Sequence, residues 1–234
     1  MPYRRTAADG MLPARGIIAR HDDAGWCMRL FVAVYPPKEV LDEVARAADA
    51  LSAADGLDVA RGALDTSGRS DGPGGRPRLG LGLRWRDRAE WHFTVLFLGD
   101  VDAPGVPPLQ ERLAAEAARH ERMSVAVRGG GTFPGDTGQA SVLWAGLEGD
   151  VDGMTALAAG LRKVARKSGV RLDRRAFVPH LTLASSRPPT DMTALRYALG
   201  GLATPFWTVD AIHLVRSHHP ARPRYETLAT WPLS

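Results

Sequence analysis

Short apolar runs recur along the chain, separated by Gly, Pro and charged stretches, and their periods alternate between two residues and about three and a half. Arg29-Leu30-Phe31-Val32-Ala33-Val34 reads as a buried first strand. Beyond Pro36-Pro37, apolar residues at 40, 41, 44, 47, 48 and 51 have the spacing of an amphipathic helix. Residues 52–80 are rich in Gly, Asp, Ser and Arg, with almost no large apolar side chain, and predict a long flexible insertion. A strand follows at about 91–98, and Pro107-Pro108 opens a helix carrying Leu109, Leu113 and Ala117. Met123–Val127 predicts a short strand, Gly129–Gly135 a loop, and Ser141–Gly146 another strand. Asp150 stands where it can cap a helix bearing Val151, Met154, Leu157, Leu161 and Val164, which ends at Ser168-Gly169. A further strand near 177–184, a helix near 191–199, and strands over 206–215 and 224–231 complete the pattern.

The layout repeats, because helix, connecting segment and strand recur and two of the strands carry the same phrase. The first is Trp91-His92-Phe93-Thr94-Val95-Leu96-Phe97-Leu98-Gly99, the second Phe177-Val178-Pro179-His180-Leu181-Thr182-Leu183-Ala184. In each, His and Thr lie two residues apart and share one strand face. The expected fold is α+β and bilobal, with two similar lobes whose mainly antiparallel sheets line a central cleft and whose helices lie outside. Residues 28–234 form that domain, and 1–27, rich in Arg, Asp and Gly, are expected to be a disordered extension.

Composition narrows the chemistry. The 234 residues are 44% hydrophobic, ample for a core. A net charge of +4 favours an anionic partner. Cys27 is the single cysteine, which leaves neither a disulfide framework nor a thiolate metal cluster within one chain and suits the reducing cytoplasm. No run of eighteen apolar residues suggests a membrane helix. A monomer without membrane attachment is the expectation.

Two imidazoles and two hydroxyls in one cleft suit acid–base chemistry at a phosphodiester. A neutral imidazole takes a proton, a protonated one gives it back, and hydroxyls hold non-bridging oxygens. A lone His-x-Thr is weak evidence, since a buried His bonded to a Thr is common in cores. The ordered set of phrases is far more specific. With Gly131-Thr132-Phe133-Pro134, Val142-Leu143-Trp144 and Tyr225-Glu226-Thr227-Leu228, the chain from Met28 onward resembles the 2H phosphoesterase superfamily, and within it the RNA 2′,3′-cyclic phosphodiesterases, also called 2′-5′ RNA ligases.

That resemblance implies cofactor-free, metal-independent opening of a 2′,3′-cyclic phosphate on RNA ends or small nucleotides to a 2′-phosphate, with 2′-5′ ligation as a minor reverse reaction. It implies His92 as acid, His180 as base, and Thr94 and Thr182 as phosphate ligands. It also implies a sandwich for the nucleobase, made by an aromatic five residues after the first His, where Phe97 stands, and an arginine five after the second, where Ser185 departs from the pattern and puts base stacking there in doubt. Arg187, two residues further, is the candidate replacement, and Phe133 a candidate for stacking on a base. Strict alternation turns Phe97 away from the histidines, so its role requires a bulge. The Arg-rich stretch 61–88 reads first as a solvated loop, with contact to RNA phosphates as the alternative; His120 and His213 read as surface or structural residues, and His218-His219 as a solvent-exposed hairpin tip rather than a metal site. The alternatives are hydrolysis of another cyclic phosphate or of a 2′-5′ linkage, or an RNA- or nucleotide-binding protein without turnover.

Overall fold

The computed structural model describes residues 27–62, 81–135, 138–218, 221 and 223–234. Strand β1 (Cys27–Val34) leads into helix α1 (Lys38–Gly62). Then follow β2 (Arg84–Trp85), β3 (Phe93–Asp102), α2 (Val106–Ala117), β4 (Met123–Phe133), β5 (Ala140–Gly149) and α3 (Val151–Lys167). The chain closes with β6 (Leu181–Thr190), α4 (Thr193–Ala198), β7 (Trp207–Val209), β8 (Ala211–Ser217) and β9 (Tyr225–Pro232). The class is α+β, and every strand pairing is antiparallel.

The strands form one hydrogen-bonded path in the order β7-β4-β5-β6-β3-β1-β8-β9, with β2 added to β6. The two motif strands are therefore neighbours in one sheet path rather than opposed across a gap. They meet at the single pair Phe93↔Leu181, with four path strands on either side of that junction counting β3 and β6 themselves.

Alternation explains what the sheet covers. On β1, Leu30, Val32 and Val34 enter the main core with Val40 and Val44 of α1, Leu109 and Leu113 of α2, and Leu157 and Leu161 of α3. Phe31 and Ala33, on the other face, form a smaller cluster with Val215, Tyr35 and Tyr225. That second face carries the candidate site.

Several sequence expectations are corrected. Cys27 belongs to β1, while the rest of the proposed extension lies outside the described residues. Helix α1 continues through 52–62, where a loop was expected. Ala53, Ala54 and Ala60 are strong helix formers with no intervening proline, so backbone propensity extends the helix past buried Leu51. The expected insertion over 63–80 lies outside the described residues. The glycines 129–131 are not a loop but part of β4, and the reason is steric. A Cβ on Gly131 would stand 2.3 Å from the Trp144 ring, and one on Gly130 2.4 Å from the Trp144 carbonyl. Glycine lets the two strands carry this indole between them. Asp150 precedes α3 without capping it; its carboxylate accepts the Ser124 N–H at 2.7 Å instead. The expected strand over 206–215 is split at Asp210, because β7 pairs with β4 at one end of the sheet and β8 with β1 towards the other.

Candidate active site

The register at the β3–β6 junction decides the geometry. Phe93 and Leu181 are opposite one another and both are buried. Extending that antiparallel register by one residue each way sets His92 across from Thr182 and Thr94 across from His180, all four on the face away from the core. Directly opposed positions hold Cβ atoms about 5 Å apart and diagonal ones about 7–8 Å. The two histidines stand on such a diagonal, and both line one cavity. Each histidine is the residue immediately before its strand rather than within it.

Both imidazoles are fixed in the same way. His92 Nδ1 lies 2.8 Å from the Glu90 carbonyl, and His180 Nδ1 lies 2.7 Å from the Val178 carbonyl. A carbonyl can only accept, so each Nδ1 carries the proton and donates. Nε2 is left on each ring for the cavity, ready to accept a proton when the ring is neutral and to donate one when it is charged.

Their surroundings differ. His92 stacks on Phe31 at 4.8 Å between centroids, with the Tyr225 ring edge-on at 5.2 Å. Burial in this aromatic nest pushes its pKa down to about 4, with the nearby His180 and Arg224 contributing in the same direction. His180 meets the edge of Phe133 at 4.9 Å, and burial lowers its pKa as well. No side-chain hydrogen bond engages Thr94 or Thr182 among the described residues, so both hydroxyls are available to a ligand.

Two cavities share the wall made by Thr94, Phe97, His180 and Thr182. One, of about 280 Å³, is polar and includes His92, Arg29, Arg86, Glu90, Arg224 and Tyr225. The other, of about 780 Å³, is mainly apolar and includes Phe133, Pro134, Val142, Phe177 and Val178.

The bulge that Phe97 requires is present. Against β1, Ala33 pairs with Thr94 and Val32 with Leu96, so Val95 is passed over and the parity of β3 reverses. Phe97 thereby shares the Thr94 face, exposed and beneath the Arg29 guanidinium at 5.0 Å. Strand β6 repeats the device. Trp144 pairs with Thr182 and Leu143 with Ala184, passing over Leu183, which puts Ser185 on the Thr182 face.

Arg187 does not take the place of the missing arginine. Residues 186–189 leave the β5 ladder between the pairs Val142↔Ser185 and Ala140↔Thr190, and exposed Arg187 lines neither cavity. Arg86 comes to Ser185 instead, donating from Nη2 to the Ser185 hydroxyl at 3.3 Å. It arrives because β2 pairs with β6 through Trp85↔Ala184, so the end of the 61–88 stretch is held against the sheet instead of lying in a solvated loop. Glu90 holds Arg86 at 3.7 Å and Arg224 at 3.3 Å. Sequence reasoning missed Glu90 and Arg224. The signal for Glu90 was its four-residue spacing from Arg86 just ahead of the first motif; Arg224 gave none beyond its place before Tyr225.

Phe133 is brought to the site, tilted on Trp144 at 5.2 Å as well as touching His180. His213 is not, its Nδ1 lying 3.0 Å from the Thr230 hydroxyl. His218 pairs with Glu226 at 2.7 Å, and His219 lies outside the described residues.

Residues 75–221 match the 2′-5′ RNA ligase superfamily. An RNA 2′,3′-cyclic phosphodiesterase of Geobacillus stearothermophilus is 35% identical over 64% of this chain and 47% of its own length. One of Aeropyrum pernix is 28% identical over 50% of this chain and 64% of its own. The matched region thus spans about half to two thirds of these curated relatives. Among solved structures, TT0787 of Thermus thermophilus superposes with a TM-score of 0.61 over 88% of this chain and 97% of its own, at 24% identity. E. coli LigT complexed with 3′-AMP gives 0.56 over 89% and 99%, at 22% identity. These two likenesses establish the fold. Among the described residues no helix is long and apolar enough to cross a membrane.

Proposed function

The chain belongs to the 2′-5′ RNA ligase superfamily, and from that premise we propose that it hydrolyses RNA or nucleotide 2′,3′-cyclic phosphates to 2′-phosphates. The observation that carries this reading is the crossed quartet, in which each motif's imidazole stands opposite the other motif's hydroxyl around the Phe93↔Leu181 pair. Curated relatives named RNA 2′,3′-cyclic phosphodiesterases support it.

The cyclic phosphate sits between the two histidines, its non-bridging oxygens accepting hydrogen bonds from Thr94 and Thr182. His180, neutral, takes a proton through Nε2 from a water as the water oxygen bonds to phosphorus. The bond from phosphorus to the ribose 3′ oxygen breaks, and His92 gives that oxygen the proton on its Nε2. The threonines hold the oxygens on which charge grows in the transition state. The bound anion raises the proton affinity of both rings, which is what allows His92 to act as an acid despite its buried setting. With a 5′ hydroxyl in place of the attacking water, its oxygen bonds to phosphorus, His180 takes its proton, and the 3′ oxygen leaves with the proton from His92, giving a 2′-5′ linkage, a reaction minor in water.

The mechanism uses no metal. In the polar cavity the lining carboxylate is Glu90, which is already shared by Arg86 and Arg224. The setting is the cytoplasm, in keeping with the single cysteine. A short RNA with a 2′,3′-cyclic end, incubated with the protein in EDTA, should yield a 2′-phosphate resolved from the 3′ isomer. A 3′-phosphate product, or loss of turnover on chelation, contradicts the reading.

A further inference from the structure

The two cavities divide the site by chemistry, and the polar one holds more positive charge than the reaction uses. Its walls carry the guanidinium groups of Arg29, Arg86 and Arg224 against the one carboxylate of Glu90. A cyclic phosphodiester brings a single negative charge, which leaves cationic surface unanswered. These arginines are also built in place rather than trailing in solvent. Arg86 is tied to Ser185 and Glu90, Arg224 to Glu90 and over the Tyr225 ring at 5.6 Å, and Arg29 over Phe97. Glu90 itself is only 11% exposed, so it sets both guanidinium groups as a rigid pair.

Position along the sheet separates Arg86 from the reacting phosphate, and Glu90 ties Arg224 to Arg86. Arg86 is bonded to Ser185, three residues beyond Thr182 with one passed over in the bulge, a displacement of about 7 Å along β6. That is the scale of one step along a nucleic-acid chain. The larger cavity on the other side of the shared wall is mainly apolar, with Phe133, Phe177 and Val178, and carries the oppositely charged Asp173 and Arg175 rather than an excess of one sign, which suits a nucleoside.

We propose that Arg86 and Arg224 form a second phosphate site, so that the preferred substrate is a cyclic-phosphate end bearing a further phosphate on its 5′ side. The proposal rests on the cyclic phosphodiesterase reading above and narrows its substrate class. A 5′-phosphate monoester and an internucleotide phosphodiester offer the same charged oxygens, and the experiment separates them.

The test compares kcat/KM for adenosine 2′,3′-cyclic phosphate, its 5′-phosphorylated form, a dinucleotide ending in the cyclic phosphate, and that dinucleotide with an uncharged methylphosphonate linkage. In parallel, the binding of adenosine 2′,5′-bisphosphate and adenosine 2′-phosphate is titrated, a readout that needs no turnover. The second phosphate should improve kcat/KM and binding by roughly tenfold or more. Whichever of the 5′-phosphorylated nucleotide and the charged dinucleotide is the better substrate identifies the source of the phosphate. The methylphosphonate should lose the gain in wild type. Arg86→Gln and Arg224→Gln should bring the ratio between charged and uncharged substrates towards one, and Arg86→Lys should retain part of it. Equal binding of bisphosphate and monophosphate, or a preference that survives the methylphosphonate, overturns the proposal. Failure to turn over any of the substrates while the bisphosphate still binds more tightly contradicts the hydrolase reading alone.

Discussion

The proton on each Nδ1 is fixed by a backbone carbonyl, so the proposed chemistry falls to two Nε2 atoms and two hydroxyls. Removing a hydroxyl removes a donor to the transition state, and Thr94→Val or Thr182→Val should each lower kcat by about 10²–10³. The acid and base are distinguishable by leaving group. A substrate with sulfur in place of the 3′ oxygen departs without protonation, so it should restore turnover to His92→Ala but not to His180→Ala; the reverse pattern exchanges the roles. Burial lowers both histidines, His92 from 6.5 to about 4 in the free protein. The acid must be protonated while the base is neutral, so kcat/KM should peak below pH 6.5. The bound anion favours the charged rings, so kcat should peak at higher pH, and coincident profiles would contradict this picture. At this scale the His and Thr pairs were legible in the sequence, because a two-residue spacing in an apolar run leaves little freedom. Arg86, Glu90 and Arg224 were not, because their roles arise from contacts between β2, the turn before β3 and the start of β9.

At the scale of elements, two bulges and a glycine run shape the cleft. Without the passed-over Val95, alternation would turn Phe97 to the core side, and without Leu183 the Ser185 hydroxyl would not meet Arg86. An alternating pattern carries no mark of a bulge, since that depends on the partner strand. This is why the position of Phe97 could be stated only as a condition and why Arg187 was the wrong substitute. The glycines of β4 resembled a loop because no side chain signals a strand there; the reason for them, the Trp144 indole, belongs to another strand. Gly131→Ala should therefore destabilise the fold by about 1–3 kcal/mol, read from denaturant midpoints. It should also raise KM, because Trp144 underlies Phe133, which in turn meets His180. Unchanged stability would mean that the indole can move aside.

For the whole molecule, the order of elements and the α+β class followed from periodicity, whereas the joining of the motif strands side by side did not. Two similar phrases far apart in sequence imply proximity, but facing and adjacent arrangements satisfy them equally; the register Phe93↔Leu181 distinguishes them. A cost of the buried pair falls on stability. Between pH 6.5 and about 4 the unfolded chain binds a proton at position 92 that the folded chain refuses, so stability should fall as pH drops through that window. His92→Gln should flatten the fall; an unchanged slope would show that the imidazole is not buried in solution. The central claim is that two imidazoles, set diagonally across the β3–β6 junction, act together on one cyclic phosphate. Its most direct test is the rate of 2′-phosphate formation from an RNA 2′,3′-cyclic end by wild type, His92→Ala and His180→Ala, each checked for folding. Loss of about 10²–10⁴ in both variants is the predicted result. Wild-type turnover in either would contradict the account.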